Sequence, residues 1–228
     1  MRYLGISAPK IVRYWLRVKL EVAYYYLKYC IINFESLLKT YKLKNTKKNN
    51  KVFVFGNGPS MKKLDPIKIK NYSNNGYDIM ACNGFIQSDF GKHIKPNYMV
   101  FSDPLDFKTV PNTHPRKFRE LLGKKDKQDA INEQIPIFAP INFLNYEKYD
   151  NCYFFNDCED IFSNNISNIL APRGYGSWTG NKALSIATYL GYSEIYICGL
   201  DYDIFKKINV NSKNEIFTKN EHFYDSKD

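Results

Sequence analysis

A chain of 228 residues with 44% hydrophobic and 25% charged residues is built to bury a core. This excludes a wholly disordered chain and leaves room for one large α/β domain with an appendage rather than two full domains. The net charge of +10 has two explanations: the Lys- and Asn-rich usage of an AT-rich genome, or an anionic partner such as a nucleotide phosphate or an acidic membrane surface. Nucleic acid is not among the expected partners. The five cysteines have neither CxxC nor Cys/His ligand spacing, which argues for a reducing compartment and against structural zinc. Residues 1–10 lack the apolar core and cleavage site of a signal peptide, so the expected location is the cytoplasmic side.

From Pro9 to Leu43 no Pro or Gly interrupts the chain, and the spacing predicts helix. Ile11, Trp15, Val18, Val22, Tyr25, Tyr29, Ile32 and Leu43 recur at helical steps beside a Lys- and Arg-rich face. Arg13, Arg17, Lys19, Glu21, Lys28 and Glu35 break the apolar runs well short of the roughly 18 residues that spanning requires. The pattern fits a basic amphipathic helix lying on the inner face of the cytoplasmic membrane, or a long helix packed on the domain or on a second subunit of a homo-oligomer. KLKNTKKNNK, residues 42–51, reads as a basic linker. Residues 1–50 are therefore expected to form the appendage and 51–228 the domain.

Beyond the linker, KVFVF (51–55), YDIMAC (77–82), NYMVF (97–101), IPIFAP (135–140), CYFF (152–155) and EIYIC (194–198) read as strands. Helix-compatible stretches lie between them, including HPRKFRELLGK after Thr113 and GNKALSIATYLGY before the last strand. This alternation predicts an α/β fold with a mostly parallel sheet and helices on its faces. Such sheets collect ligands at the carboxyl ends of their strands. The residues expected on that rim are Gly56, Asn57, Gly58, Pro59 and Ser60 after the first strand, Asn83 and Gly84 after the second, Ser102 and Asp103 after the third, and Gly199, Leu200 and Asp201 after the last.

Gly56 and Gly58 permit a sharp turn and close approach to a ligand, and Pro59 and Ser60 suit the first turn of a helix that favours an anion. The GNGPS run is neither a GxGxxG nor a GxxxxGKS motif, so a plain turn stays open. Asn57 and Asn83 can read the polar edge of a base or sugar, or can serve turn geometry. Thr179 and Gly180 open a helix whose end can hold a carboxylate or phosphate, with simple capping as the alternative. Asp201 and Asp203 have the DxD spacing of a divalent-metal site, although no metal is expected. His222, with Tyr224 and Asp225 close by, can take a proton from an acceptor hydroxyl or hold a phosphate, and a C-terminal tail explains the cluster equally well.

Taken together, GNGPSM, CNGF, the Asp-Pro after the third strand, WTG at a helix start and LGYSEIYICGLDY resemble the bacterial sialyltransferases of glycosyltransferase family 42 and related proteins of surface-polysaccharide synthesis. More distantly they resemble a pterin-diphosphokinase-like family that shares the GPS element. The likeness covers roughly residues 51–228. It implies a Rossmann-like sheet and an inverting, metal-independent transferase of lipooligosaccharide or capsule synthesis, with a CMP-linked sugar such as sialic acid as donor, a glycan as acceptor and no cofactor. It also implies that Asn57, Asn83, Thr179 and Gly180 contact the nucleotide and the sugar carboxylate, with His222 or Asp225 as catalytic base. Three positions depart from the sialyltransferase pattern. Asp103 replaces an Asn, Gly176 replaces an Arg with Arg173 lying upstream, and HFYDS replaces HYxGHS so that Asp225 takes the place of the second His. The motif stands at the chain's end, which reads as a domain truncated at its C-terminus. A diphosphokinase-like transferase and a non-catalytic partner of a polysaccharide assembly complex are the alternatives.

Overall fold

Alternating apolar side chains of β-branched and aromatic type make the strands, and each strand sends its residues to opposite faces of one sheet. A computed structural model of the chain describes residues 8–32, 34–103, 117–143, 150–158, 160, 163–165, 167–172, 178–218 and 222–223. Within them, β1 (Lys51–Phe55), β2 (Tyr77–Cys82), β3 (Tyr98–Val100), β4 (Ile137–Pro140), β5 (Cys152–Phe155) and β6 (Glu194–Cys198) pair in the order β5-β4-β3-β2-β1-β6. Every pairing is parallel. All six strands follow the sequence reading, with β3 and β4 shorter than the runs that predicted them.

The strand order decides where the helices lie. From β1 to β5 each connection steps the same way across the sheet, and the return to β6, on the far side of β1, runs the other way. Crossovers between parallel strands are right-handed, so a reversal of direction puts the intervening helix on the opposite face. The core obeys this rule. Phe53, Phe55, Ile79, Ala81, Met99 and Ile137 pack with Ile69 of α3 (Pro66–Asn74) and Ala130 of α4 (Lys117–Asn132) on one face. Val52, Val54, Met80, Val100 and Phe138 pack with Ala183, Ile186, Ala187 and Leu190 of α5 (Thr179–Leu190) on the other. The short helix α3 begins at Asp65, whose side chain accepts the Ile67 N–H at 2.9 Å, with Pro66 in the first turn.

The N-terminal stretch forms two helices, α1 (Ala8–Ile32) and α2 (Phe34–Tyr41). α2 lies beside β5, where the Thr40 hydroxyl accepts the Phe154 N–H at 3.0 Å and satisfies a donor of that edge strand. The basic segment that follows is tied to the end of α5, since Asn45 and Lys47 donate their N–H groups to the carbonyls of Tyr189 and Leu190 at 3.0 and 2.9 Å. After β6 comes an antiparallel hairpin, β7 (Ile208–Val210) and β8 (Ile216–Thr218), which the sequence reading did not include.

Candidate functional site

The reversal of strand order falls between β1 and β6, and at such a point the connections diverge and open a crevice at the carboxyl ends. The two segments leaving these strands are Gly56 to Ser60 and Gly199 to Asp201. They are clasped together. Gly56 and Gly58 donate their N–H groups to the carbonyls of Cys198 and Gly199, each at 2.8 Å, and the Ser60 N–H donates to Asp201 Oδ2 at 2.8 Å. The Ser60 hydroxyl donates to the other oxygen of Asp201. A Cβ on Gly56 would sit 2.4 Å from the Gly199 carbonyl oxygen, and one on Gly58 would sit 2.4 Å from Asp201 Oδ2. Both glycines therefore serve the approach of β1's exit to β6's exit. Pro59 opens a 3-10 turn, Pro59–Lys63, rather than an α-helix.

Asn57 stands between these glycines, and its side-chain oxygen is buried without a hydrogen-bond partner among the described residues. A buried acceptor without a donor costs free energy. The Asn57 carbonyl accepts the Phe223 N–H at 2.9 Å. Phe223 is buried against Phe85, with ring centroids 6.4 Å apart. This anchor brings the half-buried His222 to the same turn from far along the sequence.

The opposite wall is the start of α5. The Thr179 hydroxyl lies 2.7 Å from the Ser102 hydroxyl, so the exits of β3 and the helix meet. The first-turn N–H groups of α5 have no intrahelical acceptor and carry the positive end of the helix dipole. A Cβ on Gly180 would lie 2.2 Å from Leu200 Cδ2 and 3.1 Å from the Tyr202 hydroxyl, so this glycine admits the β6 loop against the helix. Tyr202 has a positive φ of 45°, donates its hydroxyl to Asn181 Oδ1 at 2.8 Å and meets Trp178 edge to face at 5.3 Å. Burial pushes the Tyr202 phenol up to about 12, with Cys82 adding to the shift, so the hydroxyl keeps its proton and remains a donor. Behind the rim, Lys182 is buried and its Nζ lies 2.7 Å from Asp157 Oδ1, beyond the end of β5.

The remaining expected residues fall on either side of this centre. Asn83 has φ 29°, and its N–H donates to the Val100 carbonyl at 3.2 Å, so it shapes the turn after β2. Asp103 is half-buried one residue beyond Ser102. Asp225, Gly176 and Arg173 lie outside the described residues. Among the described residues no group of three or more His, Cys, Asp or Glu side chains is placed to hold a metal ion. The Trp178, Tyr202 and Asn181 cluster escaped the sequence reading. Its available signal was the middle residue of DYD, read for its carboxylates alone.

A family model described as "6-hydroxymethylpterin diphosphokinase MptE-like" matches residues 28–207. The chain belongs to the MptE-like family. No curated protein is similar enough to count as a match. Among solved structures the chain is similar to the MAf glycosyltransferase from Magnetospirillum magneticum AMB-1, at 16% identity and a TM-score of 0.41. That likeness covers 79% of this chain and 28% of the other, so this chain spans just over a quarter of that protein's length.

Proposed function

We propose that this member of the MptE-like family is a glycosyltransferase of bacterial surface-glycan synthesis. It takes a sugar such as sialic acid from a CMP-linked donor and passes it, with inversion, to a glycan hydroxyl. The observation that supports the reading most is the hydrogen bond from the Phe223 N–H to the Asn57 carbonyl, 2.9 Å. It ties the backbone next to His222 to the Asn57 turn at the reversal point of the sheet, where the Asn57 side-chain oxygen is buried and has no partner among the described residues.

Each wall then has a task. The Asn57 oxygen accepts from the cytosine amino group or a ribose hydroxyl. Thr179 and the first turn of α5 receive the anionic part of the donor, the sugar carboxylate or the phosphate. The half-exposed rings of Trp178 and Tyr202 offer apolar faces to a sugar. His222 or Asp225 takes the acceptor's hydroxyl proton as the oxygen bonds to the anomeric carbon, and the bond from that carbon to the phosphate oxygen breaks with its electron pair leaving on CMP.

Titration of the purified chain with CMP, UMP, GMP and ADP tests the donor. CMP is expected to bind tightest, and equal or weaker binding than the others rejects a CMP-linked donor. The family description favours a second reading, transfer of diphosphate from ATP to a hydroxymethylpterin. Formation of AMP from ATP, magnesium and 6-hydroxymethylpterin, with no hydrolysis of any nucleotide sugar, selects it.

A further inference from the structure

α1 carries two apolar stripes, and they face different surroundings. The first contains Ile11, Trp15, Val18 and Val22. Val18 is only 9% exposed and the next residue, Lys19, pairs its Nζ with Asp160 Oδ2 at 2.5 Å, so the helix touches the rest of the chain here, while Ile11 and Trp15 are 40% and 42% exposed. The second contains Val12, Leu16, Leu20 and Leu27, which a helix of 3.6 residues per turn gathers within about 80° of arc on the far side. These four are 55%, 48%, 70% and 59% exposed. Lys10, Arg13 and Arg17, all exposed, border that outer stripe along one flank. The acid of the stretch, Glu21, pairs with Arg17 at 2.9 Å.

An exposed leucine alone needs no explanation, whereas an ordered row of four bordered by cations does. We propose that the outer stripe of α1 docks the chain on an anionic lipid bilayer surface, with Val12, Leu16, Leu20 and Leu27 entering the acyl boundary and Lys10, Arg13 and Arg17 meeting lipid phosphates. The charge decides the occupant. A second copy of this chain would bring the same cations against themselves, while an anionic leaflet complements them. The helix lies along the surface, since among the described residues no helix is long and apolar enough to cross a membrane. Of the face first suggested by the periodicity, through Ile11, Trp15, Val18 and Val22, Val18 is buried, and Ile11 and Trp15 are exposed.

Co-sedimentation of the full chain with phosphatidylcholine vesicles, with and without phosphatidylglycerol, tests the docking. Binding is expected only with the anionic lipid and weakens as salt is raised. Arg13→Gln with Arg17→Gln lowers affinity roughly 30-fold, and Leu16→Glu with Leu20→Glu abolishes it. Ile67→Glu, at an exposed isoleucine on α3, leaves it unchanged. Circular dichroism and nucleotide titration of each variant show whether the domain remains folded, and so separate this proposal from the transferase reading. Binding to neutral vesicles alone, or retained binding after the Leu16 and Leu20 changes, overturns the proposal. So does self-association through this stripe without vesicle binding.

Discussion

The carboxylate of Asp201 accepts the Ser60 N–H at 2.8 Å through one oxygen and the Ser60 hydroxyl through the other. It joins the exits of two strands that are adjacent in space and far apart in sequence. Both oxygens are thereby engaged by protein donors, so the first Asp of the DYD motif acts as a clasp. Because the contact is solvent-exposed, Asp201→Ala is expected to cost only about 1 kcal/mol of stability in urea unfolding. Asp201→Asn, which keeps one acceptor, should lose less. Magnesium should leave the wild-type unfolding midpoint where it is. A magnesium-dependent rise that disappears in Asp201→Ala would instead make this residue a metal ligand.

Asn57 is expected to separate binding from stability. Its buried side-chain oxygen has no partner among the described residues, so the folded chain already bears the desolvation cost of that group. Asn57→Ala removes the cost together with the acceptor. Unfolding free energy should change by less than about 1 kcal/mol, while CMP affinity falls roughly tenfold or more, the worth of one hydrogen bond in a dry site. Isothermal titration beside urea unfolding reads both quantities. Unchanged affinity would remove Asn57 from the donor site.

The sheet was legible because its information is local. KVFVF and EIYIC each carry their own alternation, and both became strands in register, Lys51 against Glu194 through Phe55 against Cys198. The purpose of Gly56 and Gly58 was not local. Their missing side chains make room for Gly199 and Asp201, and no window around residue 56 contains that fact. The same holds for Phe223, whose hydrogen bond to Asn57 spans most of the domain. The hairpin β7–β8 was missed for a different reason. Its strands have three residues each, too short for alternation to declare itself. For α1 the helix was legible, whereas the burial of Val18 between the exposed Trp15 and Leu20 was not, since two apolar stripes satisfy the period and only packing distinguishes their residues.

Asp126 gives the chain a pH dependence of definite sign. Its side chain is buried, and its oxygens accept the N–H groups of Ile86 and Gln87, each at 2.9 Å. Burial pushes the carboxyl up to about 7, with Asp129 adding to the rise while the two backbone bonds and Lys125 oppose it. An unfolded chain releases this proton near pH 4. Between those values the folded state holds a proton that the unfolded state has lost, so stability falls as pH rises through the window. Relative to Asp126→Asn, the wild type should lose on the order of 2 kcal/mol between about pH 5 and pH 7. Parallel urea titrations across that range measure the difference. An equal slope in both proteins would mean that Asp126 does not carry it.

Lys182 and Asp157 join the second turn of α5 to the exit of β5, with Nζ to Oδ1 at 2.7 Å and the lysine side chain only 6% exposed. Removing one partner of such a pair strands the other charge in poorly hydrated surroundings, a penalty that usually exceeds the net worth of the pair itself. Lys182→Met should therefore destabilise the chain by about 3 kcal/mol. Asp157→Asn should cost less, because Asp157 is the more exposed partner and water can reach it. The double variant Lys182→Met with Asp157→Asn should recover much of the loss, since neither charge remains to be desolvated. Urea unfolding of all four proteins closes the cycle. If the double variant proves as unstable as the sum of the singles, the two residues act separately and the ion pair is not what holds α5 to the sheet.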